Sequence, residues 1–224
     1  MARARFAEIM RRPDGATPLG ETALLISAAI QAGVELDEWF AALDELAETC
    51  PDATSDGLAT HLFATEYFTG NRGAYYDWRN SCLDRVIATR TGIPISLSVL
   101  MIEVGNRVGV DLVGVGMPAH FLVRDATDPE AFFDPFGGGR RLDRRGARML
   151  FERVTGGQVA WEERFLDPTP NRDIVIRMLN NLKSVFTGRG DAVRLGIVMD
   201  LRSVVPELAA LEADEIAVSS AVFN

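Results

Sequence analysis

Residues 91–109 read TGIPISLSVLMIEVGNRVG, and the fold turns on them. Pro94 suits the first turn of a helix, where a missing N–H costs nothing. From there Ile95, Leu97, Val99, Leu100, Met101, Ile102, Val104 and Val108 cover most of the circumference. A helix that is apolar nearly all round is a buried one. Gly109 predicts where it stops. The period then changes. VDLVGVG (110–116), HFLVRD (120–125) and EAFFDPF (130–136) are short, β-rich and separated by turn residues. They read as consecutive antiparallel strands. A central helix leading into a small antiparallel sheet predicts an α+β fold.

Outward from this centre both flanks read as helical. On the N-terminal side, LGETALLISAAIQAG (19–33) closes at Gly33, and LDEWFAALDELAETC (36–50) sets Leu36, Phe40, Leu43 and Leu46 on one face. DGLATHLFATEYF (56–68) predicts a third helix, with His61 at its surface or boundary. TGNRGAYYDWRNS (69–81) is turn-rich, and Asn80 or Ser81 is the expected cap of a helix running to about Arg90. On the C-terminal side, RRLDRRGARMLFERVTGG (140–157) predicts a return to helix. FLDPTPNRD (165–173) reads as a linker, followed by a helical hairpin joined at TGRGD (187–191) and a last helical stretch, ELAALEADEIAVSSAVF (207–223). The expected organisation is a domain over 1–165 and a helical appendage over 166–224.

The bulk numbers narrow the class. In 224 residues, 47% hydrophobic and 25% charged content is that of a water-soluble globular chain. The net charge of −9 and the short, scattered basic groups argue against nucleic acid. No apolar run is long enough for a membrane span. The start, MARARFAEIMRRPDG, reads as a short amphipathic helix rather than a signal peptide. Cys50 and Cys82 show neither metal spacing nor a disulfide framework. The expectation is a cytoplasmic protein with no metal and no cofactor.

The chemistry-bearing pair is His120 and Asp134 in GMPAHFLVRDATDPEAFFDPFGGG (116–139). A His and an Asp on neighbouring strands, facing a helix N-terminus, is the arrangement of a cysteine hydrolase. The helix end lowers a thiol's pKa, the imidazole takes its proton, and the carboxylate orients the imidazole. Spacing alone is equally met by a hydrogen-bonded core histidine and an aspartate capping the turn DPFGGG. Likewise GGGRR (137–141) reads either as an anion cradle or as a hairpin turn with solvated arginines.

The run from Asp77 to Gly139 resembles the SirB1 family, a branch of the transglutaminase-like superfamily. The resembling positions are Asn80, Ser81, Arg90, Gly92, Ile93, Pro94, Ser96, Leu97, Ser98, Gly109, Gly114, Val115, Pro118, His120, Phe121, Asp134, Pro135 and Phe136. They are dense over roughly residues 55–150. The resemblance implies a papain-like, transglutaminase-like core with His120 and Asp134 in the superfamily's His and Asp places. It also implies that Asn80, Ser81, Arg90 and Pro94 are site or binding positions. Active members carry a cysteine where the central helix opens. Pro94 occupies that place here, and its neighbours from Gly92 to Ser96 include no cysteine. Two other nucleophile candidates remain. Ser96 is the nearest hydroxyl, with a helix-buried serine as its structural reading. Cys82 would fall in the first turn of its helix, with a buried small hydrophobe replacing the family's usual aromatic as its structural reading. The C-terminal hairpin resembles a shortened tetratricopeptide-like tail. The function that follows is a non-catalytic binding or regulatory protein with an unknown protein or peptide partner. The alternative is an unorthodox hydrolase or acyltransferase using His120 and Asp134 with Cys82, Ser96 or water.

Overall fold

The computed structural model describes residues 1–12 and 17–210. Most of the last expected helix lies outside the described residues. The central helix, Pro94–Val108, is α6. Before it come α1 (Ala2–Met10), α2 (Leu19–Ile30), α3 (Leu36–Glu48), α4 (Ser55–Thr60) and α5 (Leu83–Thr89). Helix α6 spans Pro94–Val108 and is buried from Pro94 through Gly105. Pro94 is its first residue, and Gly109 closes it at φ 80°, a left-handed conformation that a side chain would oppose. One buried charge, Glu103, enters this apolar helix. Glu103 accepts the Gly20 N–H of α2 at 2.9 Å and pairs with Arg107 at 3.1 Å, so a buried carboxylate stabilises a helix N-terminus.

The sheet holds β3 (Leu112–Val115), β4 (Leu122–Asp125), β5 (Phe132–Asp134) and β6 (Arg140–Leu142), antiparallel and in that order. Val115 pairs with Leu122, Val123 with Phe133, and Asp134 with Arg140. Side chains alternate between two cores. Phe121, Val123, Ala131 and Phe133 join the main core around α6. Leu122 and Phe132 join Val115 and Met117, together with Ala147, Leu150 and Phe151 of α7 (Arg144–Thr155), in a second core. Both faces are therefore covered, which is why these strands read as nearly unbroken apolar runs.

Several expectations need correction. Arg140–Leu142 is a strand, not the start of a helix. The Asp143 carboxylate accepts the Gly146 N–H at 2.7 Å and so starts α7 one residue later. The helix expected over 56–68 is α4 followed by a π-turn over His61–Thr65. A two-residue parallel ladder then joins β1 (Thr69–Gly70) to β2 (Thr91–Gly92). His61 is buried, with Nε2 on the Leu46 carbonyl at 2.9 Å. Asn80 and Ser81 do not cap α5. They lie in a 3-10 turn, Trp78–Ser81, which Asp77 caps, and Cys82 is the N-cap of α5.

The boundary expected at 165/166 separates no two cores. Helix α8 (Asn171–Arg189) buries Ile174, Val175, Met178, Leu179, Leu182 and Phe186 in the same cluster as α2 and α6. The Thr169 N–H also bonds the Gly114 carbonyl of β3 at 2.8 Å. The hairpin itself forms as expected, with Gly190 at φ 66° before α9 (Ala192–Arg202). Among the described residues no helix is long and apolar enough to cross a membrane.

Candidate functional site

Asp134 ends β5, and His120 stands just before β4, so the sheet brings the two side chains together. His120 Nε2 lies 2.9 Å from Asp134 Oδ1, and both side chains are almost fully buried. The same oxygen accepts the Gly137 N–H at 3.0 Å. A carboxylate in its ionised form only accepts, so Nε2 is then the donor, and in the neutral ring Nδ1 keeps its lone pair. Gly137 suits this packing, since a Cβ there would press on the Asp134 carboxylate. The glycine run is thus a turn. Its N–H groups bond Asp134 and Pro135, and Arg141 pairs with Asp56 and Asp128.

The turn that presents His120 is held from another element. Ala119 has φ 60°, an uncommon conformation for a residue with a Cβ. The Arg177 guanidinium of α8 fixes it, with Nη2 donating to the Met117 carbonyl at 2.6 Å and the His120 carbonyl at 2.7 Å. Burial pushes the Arg177 pKa down from its ordinary value.

His120 borders a cleft of about 470 Å³, walled by Arg72, Tyr75, Pro94, Ala119, Phe136, Leu150, Arg153 and Val154. A recess of about 90 Å³ shares Tyr75, Pro94, Ala119 and His120 with it and adds Arg177 and Asn181. Phe136 meets the His120 ring edge-on at 6.1 Å, and Tyr75 packs against Phe136 at 5.8 Å. Asn80 holds this wall in place. Its amide donates to the Ala74 and Tyr75 carbonyls at 2.7 and 3.2 Å, and its Oδ1 accepts from Asn71 at 3.0 Å. Its backbone carbonyl accepts from Ser96 Oγ at 2.5 Å. Asn80 therefore ties the Tyr75 loop to the head of α6.

The site positions expected from the sequence divide sharply. His120 and Pro94 share the cleft, and Asp134 stands behind His120. Ser96 is fully buried with its hydroxyl committed to Asn80 and to the Ile93 backbone. Ser81 is buried in the 3-10 turn. Arg90 ends α5 at φ 57°, pairs with Glu66 at 3.1 Å and lines a different hollow. Cys82 is fully buried among core side chains. Burial first, and the Asp84 carboxylate second, push its thiol pKa far upward, away from a thiolate. Neither Cys82 nor Ser96 lines the cleft.

The wall residues Arg72, Tyr75, Arg153 and Arg177 were not legible as a set, because they come from a loop, α7 and α8. The one available signal was the concentration of Arg and Tyr in NRGAYY (71–76). Among the described residues no three His, Cys, Asp or Glu side chains meet in a way that could hold a metal ion.

Comparisons with known proteins bear on the family of the chain. A family model described as the transglutaminase-like superfamily matches residues 31–180. A UPF0162 protein of Xylella fastidiosa is 44% identical over 137 residues, 58% of this chain and 49% of that protein. The human F-box only protein 21 is 35% identical over 96 residues, 39% of this chain and 15% of that protein. Protein SirB1 of Salmonella typhimurium is 28% identical over 126 residues, 55% of this chain and 46% of that protein. The chain thus spans about half the length of the UPF0162 relatives it matches. No solved structure matches it significantly. The chain belongs to the transglutaminase-like superfamily, in its SirB1-like family.

Proposed function

We propose that this chain is a binding or regulatory module on a transglutaminase-like core, with a protein or peptide segment as the ligand of the His120 cleft. The observation that carries this reading is Pro94. It lines the cleft with His120 at the head of α6, and its ring has no atom that can attack a carbonyl carbon. Loss of a triad nucleophile removes nearly all triad catalysis. The retained pair still has a use. Asp134 fixes the imidazole, so Nδ1 is a positioned acceptor for an N–H or O–H of a ligand. The free thiols of Cys50 and Cys82 support a reducing compartment, the cytoplasm.

A hydrolase working through water is the second reading, and the intact His120–Asp134 bond favours it. There the water proton would pass to Nδ1 as its oxygen attacks a carbonyl carbon, and the imidazolium would return the proton to the leaving group. Mixed fluorogenic peptide and ester substrates separate the two. The binding reading expects no turnover above that of His120→Ala. Turnover that His120→Ala abolishes and Cys82→Ala leaves intact would overturn it.

A further inference from the structure

We infer that the cleft beside His120 takes the carboxylate of an acidic side chain, presented by a peptide segment with apolar residues on either side. This rests on the binding reading above and names the chemistry of its ligand. Charge favours such a ligand. The chain carries 32 acidic against 23 basic residues, yet no acid lines the cleft or its recess. Arg72 and Arg153 line the cleft and Arg177 lines the recess.

Two other hollows differ in having acids in their own walls, Glu45 and Glu66 in one and Glu130, Asp143 and Glu163 in the other. Arg90 lines one and is neutralised by Glu66 at 3.1 Å. Arg144 lines another and is neutralised by Glu130 and Glu163 at 3.3 and 3.2 Å. Among the described residues Arg72, Arg153 and Arg177 have no carboxylate partner. Arg72 reaches only the Phe136 carbonyl, at 3.4 Å, and the Phe136 ring, at 4.8 Å. Arg177 is half-buried and bonds two neutral carbonyls. A desolvated cation without a counter-charge is costly, and a carboxylate docked beside it recovers that cost.

Shape and polarity also favour it. The remaining walls are Tyr75, Phe136, Leu150 and Val154, and Tyr76 and Met149 nearby are strongly exposed. A small mineral anion would leave these apolar surfaces wet, whereas flanking apolar residues of a peptide would cover them. The volume of about 470 Å³ suits a few residues of a segment. With a net charge of −9, the chain repels acidic partners at long range, so recognition is confined to this local patch.

The test is selection from a displayed library of random heptapeptides on the full chain. A double variant, Arg72→Gln with Arg153→Gln, and a cleft-filling variant, Val154→Trp, are assayed in parallel. All three positions are exposed, so the fold should be retained, and circular dichroism checks this. The inference expects Asp or Glu to be enriched at one position between apolar residues. It also expects selected peptides to bind the double variant roughly tenfold or more weakly, with raised salt weakening the wild-type complex. Neutral or basic peptides that Val154→Trp displaces would overturn the acidic ligand and leave the binding reading standing. Selected peptides that Val154→Trp does not displace would overturn both.

Discussion

Cys82 and His120 are the two reactive side chains on which a catalytic reading would rest, and the fold treats them in opposite ways. Cys82 caps a seven-residue helix inside the main core, where burial and Asp84 keep its thiol protonated. His120 stands just before an inner strand of the sheet, oriented by one carboxylate and bordering a cleft lined with arginines. The difference teaches that a reactive residue type carries chemistry only when solvent access and a charge partner come with it. Among the described residues the cleft has both, and neither a cysteine nor a serine lines it. The Cys82 site has a nucleophile and lacks both.

The comparison can be broken first at Asp134. Asp134→Ala removes the partner of a buried histidine and the cap of the 135–137 turn at once. Urea unfolding should show a loss of about 3 kcal/mol. A stability equal to wild type would mean that the pair is not the structural centre of the site. Gly137→Ala comes next. Its methyl would press on the Asp134 carboxylate, at a cost of about 2 kcal/mol and with displacement of the His120 ring, readable in the imidazole NMR signals.

The core thiol should behave in the opposite manner. Cys82→Ala should lower stability by about 1 kcal/mol, with no effect on ligand binding at the cleft. The pH dependence has a definite sign. The folded thiol titrates above its ordinary value of 9.0, so the folded state holds the proton longer than the unfolded chain. Its contribution is complete below pH 9 and is lost as pH rises above it. Wild type should therefore lose stability in alkali faster than Cys82→Ala; equal slopes would contradict the burial of this thiol. The smallest effect is expected at Ala119, where Ala119→Gly relieves a left-handed residue and should raise the melting temperature slightly, by about 0.5 kcal/mol of stability.

The helix–sheet centre was legible because its signals are local and strong. Pro94, Gly109 and the apolar run between them mark a buried helix, and the change to short β-rich runs marks three strands. The fourth strand, Arg140–Leu142, was missed because its register comes from pairing with Phe132–Asp134, not from its own polar sequence. Cys82 is the N-cap of α5 rather than a residue of its first turn because Asp77, rather than Asn80, starts the local turn. The His120–Asp134 meeting followed from strand spacing together with the family resemblance. The arginine wall did not, since Arg72, Arg153 and Arg177 share nothing in the chain except where the fold sends them. The role of Arg177 also crosses the boundary expected at 165/166, and only the common core of α6 and α8 brings it to the His120 turn.

The central claim is that Pro94 stands where a thiol would face His120. Its most direct test installs that thiol. Pro94→Cys, in a chain carrying Cys50→Ser and Cys82→Ala, replaces a first-turn residue whose N–H is not needed by the helix. Alkylation by iodoacetamide, in which the thiolate sulfur displaces iodide, is then followed against pH with and without His120→Ala. A thiol at position 94 should ionise well below the range of a free cysteine, and return towards that range when His120 is removed. A thiol that titrates as free cysteine in both backgrounds would contradict the claim.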